Sequence, residues 1–436
     1  MPGWNGIDVR MNLSDRLYRR LMGVGDAADA ARYESEARNF FLFVGSHFFS
    51  KLGDALSNPK TTLTWLAGAL GAASWVTALL VPVRESGSML VQVALAGGVE
   101  RFRFRKWAWS LGALLQAVCM FAMGACAVFL RGDAAGLVLL ALVALFALAR
   151  SLSSVASKDV LGRTLPKPRR GRASGWAASA AGGATIALGF AAAAVGPGSL
   201  SAAGYAVVLG GAGVMWLTAS GLFAWVREPP AESGGHGSET RLRMLLHDGR
   251  LQRFVLARAL LLCTALSAPY YVMVGQHALG SGPRLLAEFI VAGGLAAMLG
   301  GPVWGRLADR SSHGVMALGG VAGALLGGAL SALALASPRV LALTGVMPAL
   351  YFLLSLAHQA VRIGRKTYIV DMASGDERID YVAVSNSTIA LVILAVGGAA
   401  SALSSWSLAA VIAALAAMGL LGGVLSLRLP TVTAEV

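Results

Sequence analysis

Apolar residues come in runs of about twenty along this chain, separated by short polar or basic stretches. That is the length an α-helix needs to cross the hydrocarbon layer of a membrane, at roughly 30 Å. Ten runs are clear: 107–129, 135–156, 174–195, 202–226, 254–275, 285–303, 315–336, 340–361, 382–403 and 406–427. The stretch 40–96 has room for two more but carries charges. An internal repeat assigns it. The loop Lys158-Asp159-Val160-Leu161-Gly162-Arg163, with Arg170 and Gly189 beyond it, has counterparts 208 positions later in Lys366, Arg378 and Gly397. Glu100-Arg101 has its counterpart 209 positions later in Asp309-Arg310. Two basic loops and two acidic-basic turns at one offset predict two parallel halves. Projecting 254–275 and 285–303 back places the first two spans near 45–67 and 77–95. The expected fold is an all-α membrane protein: twelve transmembrane helices as two pseudo-symmetric six-helix bundles.

Composition agrees. Of 436 residues, 56% are hydrophobic before the 54 glycines are counted, only 13% are charged, and the mean hydropathy is +0.67. A soluble domain is about 25% charged, and no globular core could hide this much apolar surface. Disordered, nucleic-acid-binding and disulfide-scaffold classes fit poorly. Cys119, Cys126 and Cys263 all sit in apolar runs and read as small packing residues. No early apolar segment suggests a secretory signal.

The net charge of +14 sets topology. With both termini in the cytoplasm of an inner-membrane protein, most of the 36 Lys and Arg fall on cytoplasmic connections, and the outer loops hold only Arg131, Arg284 and Arg339. That is the positive-inside asymmetry. The expected organisation is a cytoplasmic segment 1–38, a bundle 39–226, a Pro- and Gly-rich cytoplasmic linker 227–252, a second bundle 253–428 and a tail 429–436. Residues 12–38 and 241–246 read as short interfacial helices.

Gly305-Arg306-Leu307-Ala308-Asp309-Arg310 matches the G-x-x-x-D-R loop of the major facilitator superfamily, and Ala96-Gly97-Gly98-Val99-Glu100-Arg101 is a degraded first-half copy. The basic loop 166–172 and the loop Asp376-Glu377-Arg378 resemble that family's connections before helices 5 and 11. The whole chain resembles this family; the run 80–88 looks like a bacterial branch. The resemblance implies two bundles around a central cavity that opens alternately to each side. The loop charges have a physical reading as a cytoplasmic gate: Asp309, beside Arg310, can accept from a neighbouring helix N-terminus or pair with Arg169, Arg170 or Arg172, and Glu100, beside Arg101, can form the related contact with Arg378. The alternative is plain topology signal and solvated loop charge. The glycine-proline motif midway along helix 5 of family antiporters is missing, with Gly196-Pro197 at the helix end instead, so drug/proton antiport is disfavoured.

Charges inside the first two spans carry the functional expectation. One charge at a helix centre costs roughly 2.5–3.5 kcal/mol on insertion scales, so Lys51, Asp54, Arg84 and Glu85 must pair or face water. Lys51 and Asp54 share a helix face, whereas Arg84 and Glu85 diverge by about 100°. This suggests Asp54 with Arg84, and Lys51 or Lys60 with Glu85. Ser57-Asn58-Pro59 should break helix 1 near its middle. A carboxylate there is a candidate proton carrier. A structural Lys51–Asp54 pair, or an interfacial helix over 40–57 that leaves eleven spans, stays open. Gln116, Arg150, Glu288 and His358 are further polar positions within spans and candidate cargo contacts, as are Tyr270 and Tyr271 after Pro269; a fixed cation would favour an anionic or zwitterionic cargo. No metal or cofactor motif is present, and no H-E-x-x-H, G-x-S-x-G or Walker loop points to an enzyme. The expected function is a monomeric, proton-coupled secondary transporter of a small organic solute, with lipids and protons as its other partners and no nucleic acid. The competing readings are an intramembrane enzyme and a non-transporting sensor or assembly factor.

Overall fold

The computed structural model describes residues 30–90, 102–193, 201–230, 248–372 and 377–431. Among them there is no strand, only helices. The first half contains α1 (Ala30–Leu56), α2 (Thr62–Ala69), α3 (Ser74–Leu90), α4 (Lys106–Phe129), α5 (Gly132–Thr164), α6 (Lys167–Ala193) and α7 (Ala202–Ala224). The second contains α8 (Gly249–Leu260), α9 (Cys263–Leu266), α10 (Ala268–Leu279), α11 (Pro283–Arg310), α12 (Ser312–Ala336), α13 (Pro338–Leu341), α14 (Val346–Met372), α15 (Glu377–Ser404) and α16 (Leu408–Leu427). Nine stretches of described residues are long and apolar enough to cross a membrane. The segments α1–α2, α3 and α6 are not among them; Lys51, Asp54, Arg84 and Glu85 sit in the first two of these, and Lys167, Arg169, Arg170 and Arg172 open the third.

Local chemistry sets the helix ends. Ser201, Ser311 and Ser407 cap α7, α12 and α16, each hydroxyl accepting a backbone N–H three residues on, which satisfies a donor the helix leaves orphaned. Gly71, at φ +78°, turns the chain between α2 and α3, and Gly132, at φ +64°, donates its N–H to the Leu70 carbonyl at 2.7 Å. Both glycines take a left-handed conformation that side chains resist. These two turns mark one end of the bundle. Lys106, Arg163, Arg250, Arg310 and Arg428 mark the other, here called the basic end.

Three expectations need correction. The stretch 158–163 is not a loop but the end of α5, and Arg362, Arg365 and Lys366 extend α14 as helix rather than starting a connection. Leu, Val and Ile between those charges keep the helical stripe going, so the helices outrun the apolar core. The helix expected at 254–275 is three pieces, α8 to α10, offset at Leu261–Leu262 and at Ser267. Finally, α1 starts at Ala30, inside the expected terminal segment 1–38. The candidate interfacial helix 241–246 and most of 12–38 lie outside the described residues.

Helices before residue 230 pack mainly on one another, and so do those after 248. The two sets meet where α3 packs on α15, α6 on α11 and α2 on α10. A Cβ built on Gly397 would lie 2.3 Å from Cγ of Pro82, so only glycine lets α3 and α15 come this close. Gln276 donates to the Trp65 carbonyl at 3.2 Å and Ser401 to the Trp75 carbonyl at 2.6 Å. Trp75 and Ser401 stand near the helix ends remote from the basic end, so the halves are joined there.

Candidate functional site

The break in the first helix builds the site. Pro59 cannot donate a backbone hydrogen bond, and Thr61 donates to the Asn58 carbonyl at 3.3 Å rather than to Ser57. The Ser57 carbonyl is thereby left for a side chain. Arg84 on α3 takes it, donating Nη1 at 3.3 Å, while its Nη2 bonds Oδ1 of Asp54 at 2.7 Å. The guanidinium also lies over the Phe146 ring, 4.0 Å from its centroid. Arg84 is thus buried with a carboxylate, a carbonyl and a π-face around it, the pairing a buried cation needs.

Arg150 on α5 bonds the same Oδ1 of Asp54, at 2.5 Å. One carboxylate therefore sits between two guanidinium groups and ties α1, α3 and α5 together, with one positive charge left over. Arg150 stays partly open, with 36% of its side chain exposed. Glu85 pairs with Lys60 at 3.4 Å and stays within Coulombic range of Arg84 and Arg150. The expected Asp54–Arg84 pair is present, and of the two candidates for Glu85 the structure selects Lys60. Lys51 makes no ion pair among the described residues but lies in Coulombic range of Asp54, Arg150 and Arg362.

The second half faces these charges with cations. Arg362 and Arg365 on α14 act on Glu85, and His358 on the same helix feels Lys60, Arg362 and Arg365. His358, Arg362 and Arg365 are spaced i, i+4, i+7, one stripe of one helix. Nδ1 of His358 meets the Thr264 hydroxyl at 3.1 Å. Arg258 on α8 is buried, donating to Ser385 at 2.6 Å and Asn386 at 2.9 Å, and has Arg365 as a Coulombic neighbour. Sequence reasoning did not single out Arg258, Arg362 or Arg365. The i, i+4, i+7 spacing on α14 was the available signal, masked by reading 362–378 as a loop.

Other candidates lie elsewhere. Gln116 is fully buried between α4 and α5, bonding Ser153 at 3.2 Å and the Gly112 carbonyl at 3.0 Å. Glu288 pairs with Arg284 one turn away at 3.1 Å, near the end remote from the basic one. Tyr270 and Tyr271 are buried in the core. Of the gate residues, Glu100 and Arg101 lie outside the described residues, as do the side chains of Asp309, Arg169, Arg170 and Arg378. Arg310 is exposed at the end of α11. At the basic end the structure describes a different ion-pair cluster: Asp159 holds Arg105 and Arg163, each at 2.7 Å, joining α4 to α5. No group of His, Cys, Asp and Glu among the described residues could hold a metal ion.

A family model described as the Major Facilitator Superfamily matches residues 43–347. The chain belongs to that superfamily, and is a multi-pass membrane transporter rather than an enzyme. Its fold is shared with solved transporters. The inward open xylose transporter XylE from E. coli superposes with a TM-score of 0.69 at 14% identity, covering 91% of this chain and 98% of that one. A POT family transporter in complex with a thioalcohol-conjugated peptide gives 0.69 at 11% identity, covering 90% and 96%. The nucleoside transporter NupG gives 0.65 at 12% identity, covering 89% and 98%. No curated protein matches the chain.

Proposed function

We propose that this protein moves a small organic solute across the inner membrane by alternating access, coupled to protons through Asp54 or Glu85. The nine apolar spans plus α1–α2, α3 and α6 give twelve crossings, six from α1 to α7 and six from α8 to α16, with the linker between Ala224 and Gly249. The basic end then faces the cytoplasm by the positive-inside asymmetry, with both termini on that side and the monomer as the working unit. Contacts between the halves at the opposite end correspond to a state open to the cytoplasm.

One observation carries the reading: Asp54 held jointly by Arg84 and Arg150 at the break in the first helix. If the halves rock and one arginine withdraws, the Asp54 carboxylate loses a charge partner whose place a proton can take, so conformation and coupling are linked. Broken helices at this depth also expose backbone groups to cargo or ions. The test is purified protein in proteoliposomes, screened for solute-dependent proton flux. Flux with wild type, and loss of gradient-driven accumulation with retained exchange in Asp54→Asn or Glu85→Gln, is the expected result. Accumulation unchanged in both variants overturns the coupling role, and no solute-dependent flux with any cargo overturns transport by proton exchange.

A further inference from the structure

The charges that face each other across the two halves do not balance. On the first half, Lys51, Lys60, Arg84 and Arg150 meet two carboxylates, Asp54 and Glu85. On the second half, no ion pair joins Arg258, Arg362 or Arg365 to any described Asp or Glu. Glu85 lies within Coulombic range of Arg362 and Arg365, but it is already paired with Lys60. The partners of Arg258 are a neutral hydroxyl and a neutral amide, and its buried Nε has no partner among the described residues. Arg365 adds a second cation within Coulombic range of it, and Arg362 a third beside Arg365.

An uncompensated guanidinium inside a membrane protein is costly, and removing one partner of a buried pair is strongly destabilising. Arg258 is such a group, half-buried Arg365 and exposed Arg362 join it from α14, and the one described carboxylate near them is shared with a lysine. Ser385 and Asn386 on α15 fix the hydrogen-bond geometry of one member, Arg258, and leave its charge uncompensated. Guanidinium groups bind carboxylates and phosphates through short, charge-assisted and often bidentate contacts. A concave space lined by one sign of charge also concentrates the opposite ion.

We infer that the space between the halves takes a small organic anion with two or more negative charges, its anionic groups received by Arg258, Arg362 and Arg365. The inference deepens the transport reading and rests on it for the passage of the anion. The binding itself needs neither a gradient nor flux. The Lys60–Glu85 and Asp54 clusters offset much of the charge on the first half, so the second half supplies most of the attraction. Carboxylate and phosphate share this chemistry, and the probes separate them.

The test is the thermal unfolding midpoint of the purified full chain in detergent. It is titrated with citrate, inorganic pyrophosphate or neutral xylose, each against sodium chloride at matched ionic strength. Citrate or pyrophosphate, or both, should raise the midpoint above the chloride control, with xylose inert. The anion that acts identifies carboxylate or phosphate as the preferred group. Arg362→Gln and Arg365→Gln should each need about tenfold more anion for the same rise, the size of one lost charge contact. Arg362 is exposed, so its variant keeps the test valid if Arg365→Gln folds poorly. If neither anion exceeds chloride, or if both variants respond as the wild type does, the inference is wrong. Anion binding without proton flux sinks the coupling alone. Flux of a neutral solute without anion binding sinks the substrate class alone.

Discussion

Two arginines hold the same carboxylate oxygen, yet they differ in what surrounds them. Arg84 is buried and also engages the Ser57 carbonyl and the Phe146 face. Arg150 is one-third open and, among the described residues, bonds Asp54 alone. Stability and function should therefore separate between them. Arg84→Gln removes a buried guanidinium with three kinds of contact, and should cost about 3 kcal/mol, the low end for breaking a buried pair, because Arg150 still neutralises Asp54. Arg150→Gln should cost under about 1 kcal/mol, as for a partly solvated pair, while impairing transport at least as much. Thermal unfolding beside initial uptake rates checks this. Equal destabilisation by both variants would show that the two guanidinium groups are equivalent structural props. The Asp54–Arg84 pair was legible in the sequence because intramembrane charges must find partners and a turn of helix limits the choices. That Arg150 shares the oxygen was not, since nothing local links residues 96 positions apart.

Helix breaks are the most informative elements. Pro59 announces the gap between α1 and α2, and Pro269 stands at the start of α10 after the offsets at 261–267. The opening helix of each half is thus interrupted at nearly matching places, which agrees with the repeat seen along the chain. Helix ends were less legible. A charge after an apolar run looks like the start of a loop, but α5 and α14 carry their charges on as helix, because one-sided polar stripes satisfy helical periodicity as well as solvation does. The start of α8 yields a prediction. Asp248 accepts the N–H groups of Arg250 and Leu251 at 2.8 and 3.2 Å and the Tyr381 hydroxyl of α15. Burial alone would push its pKa up, but the Tyr381 hydroxyl and then the two backbone N–H groups outweigh that and hold it below the usual carboxylate range. A depressed folded-state pKa contributes stability that is present above the unfolded value, about 3.9, and is lost as pH falls through the folded value. Asp248→Ala should lower stability at neutral pH by roughly 0.5–2 kcal/mol, the usual cost of a lost cap. Asp248→Asn should keep most of the cap and flatten the acid limb below about pH 4, where the wild-type carboxylate becomes protonated. Unfolding midpoints across that range decide it, and an acid limb identical to wild type in Asp248→Asn would remove the carboxylate from the account.

At the scale of the whole molecule, the two halves are held together at one end by close backbone approach, and the proposed cycle requires that contact to open. Gly397 against Pro82 is its tightest point: an added Cβ falls 2.3 Å from Cγ and 2.5 Å from Cβ of a ring that cannot rotate away. Gly189 against Val291, with 2.6 Å to Cγ2, repeats the arrangement between α6 and α11. Packed interfaces of this kind have discrete arrangements rather than a continuum, so a bulkier residue should shift the population to the other state instead of stretching this one. Gly397→Val therefore should favour the form open at the end remote from the basic one. Spin labels report it directly. Arg131 and Arg339 are exposed on opposite halves at that end, and Arg103 and Arg310 at the basic end, while Cys119, Cys126 and Cys263 are all buried and leave introduced cysteines to carry the label. In Gly397→Val the 131–339 distance should lengthen by several ångströms and the 103–310 distance should shorten. A rocking motion moves both pairs in opposite senses; local distortion around Pro82 would move at most one. If the first distance grows while the second stays fixed, the halves do not pivot as rigid bodies, and the coupling of Asp54 to the far end of the molecule has no mechanical basis.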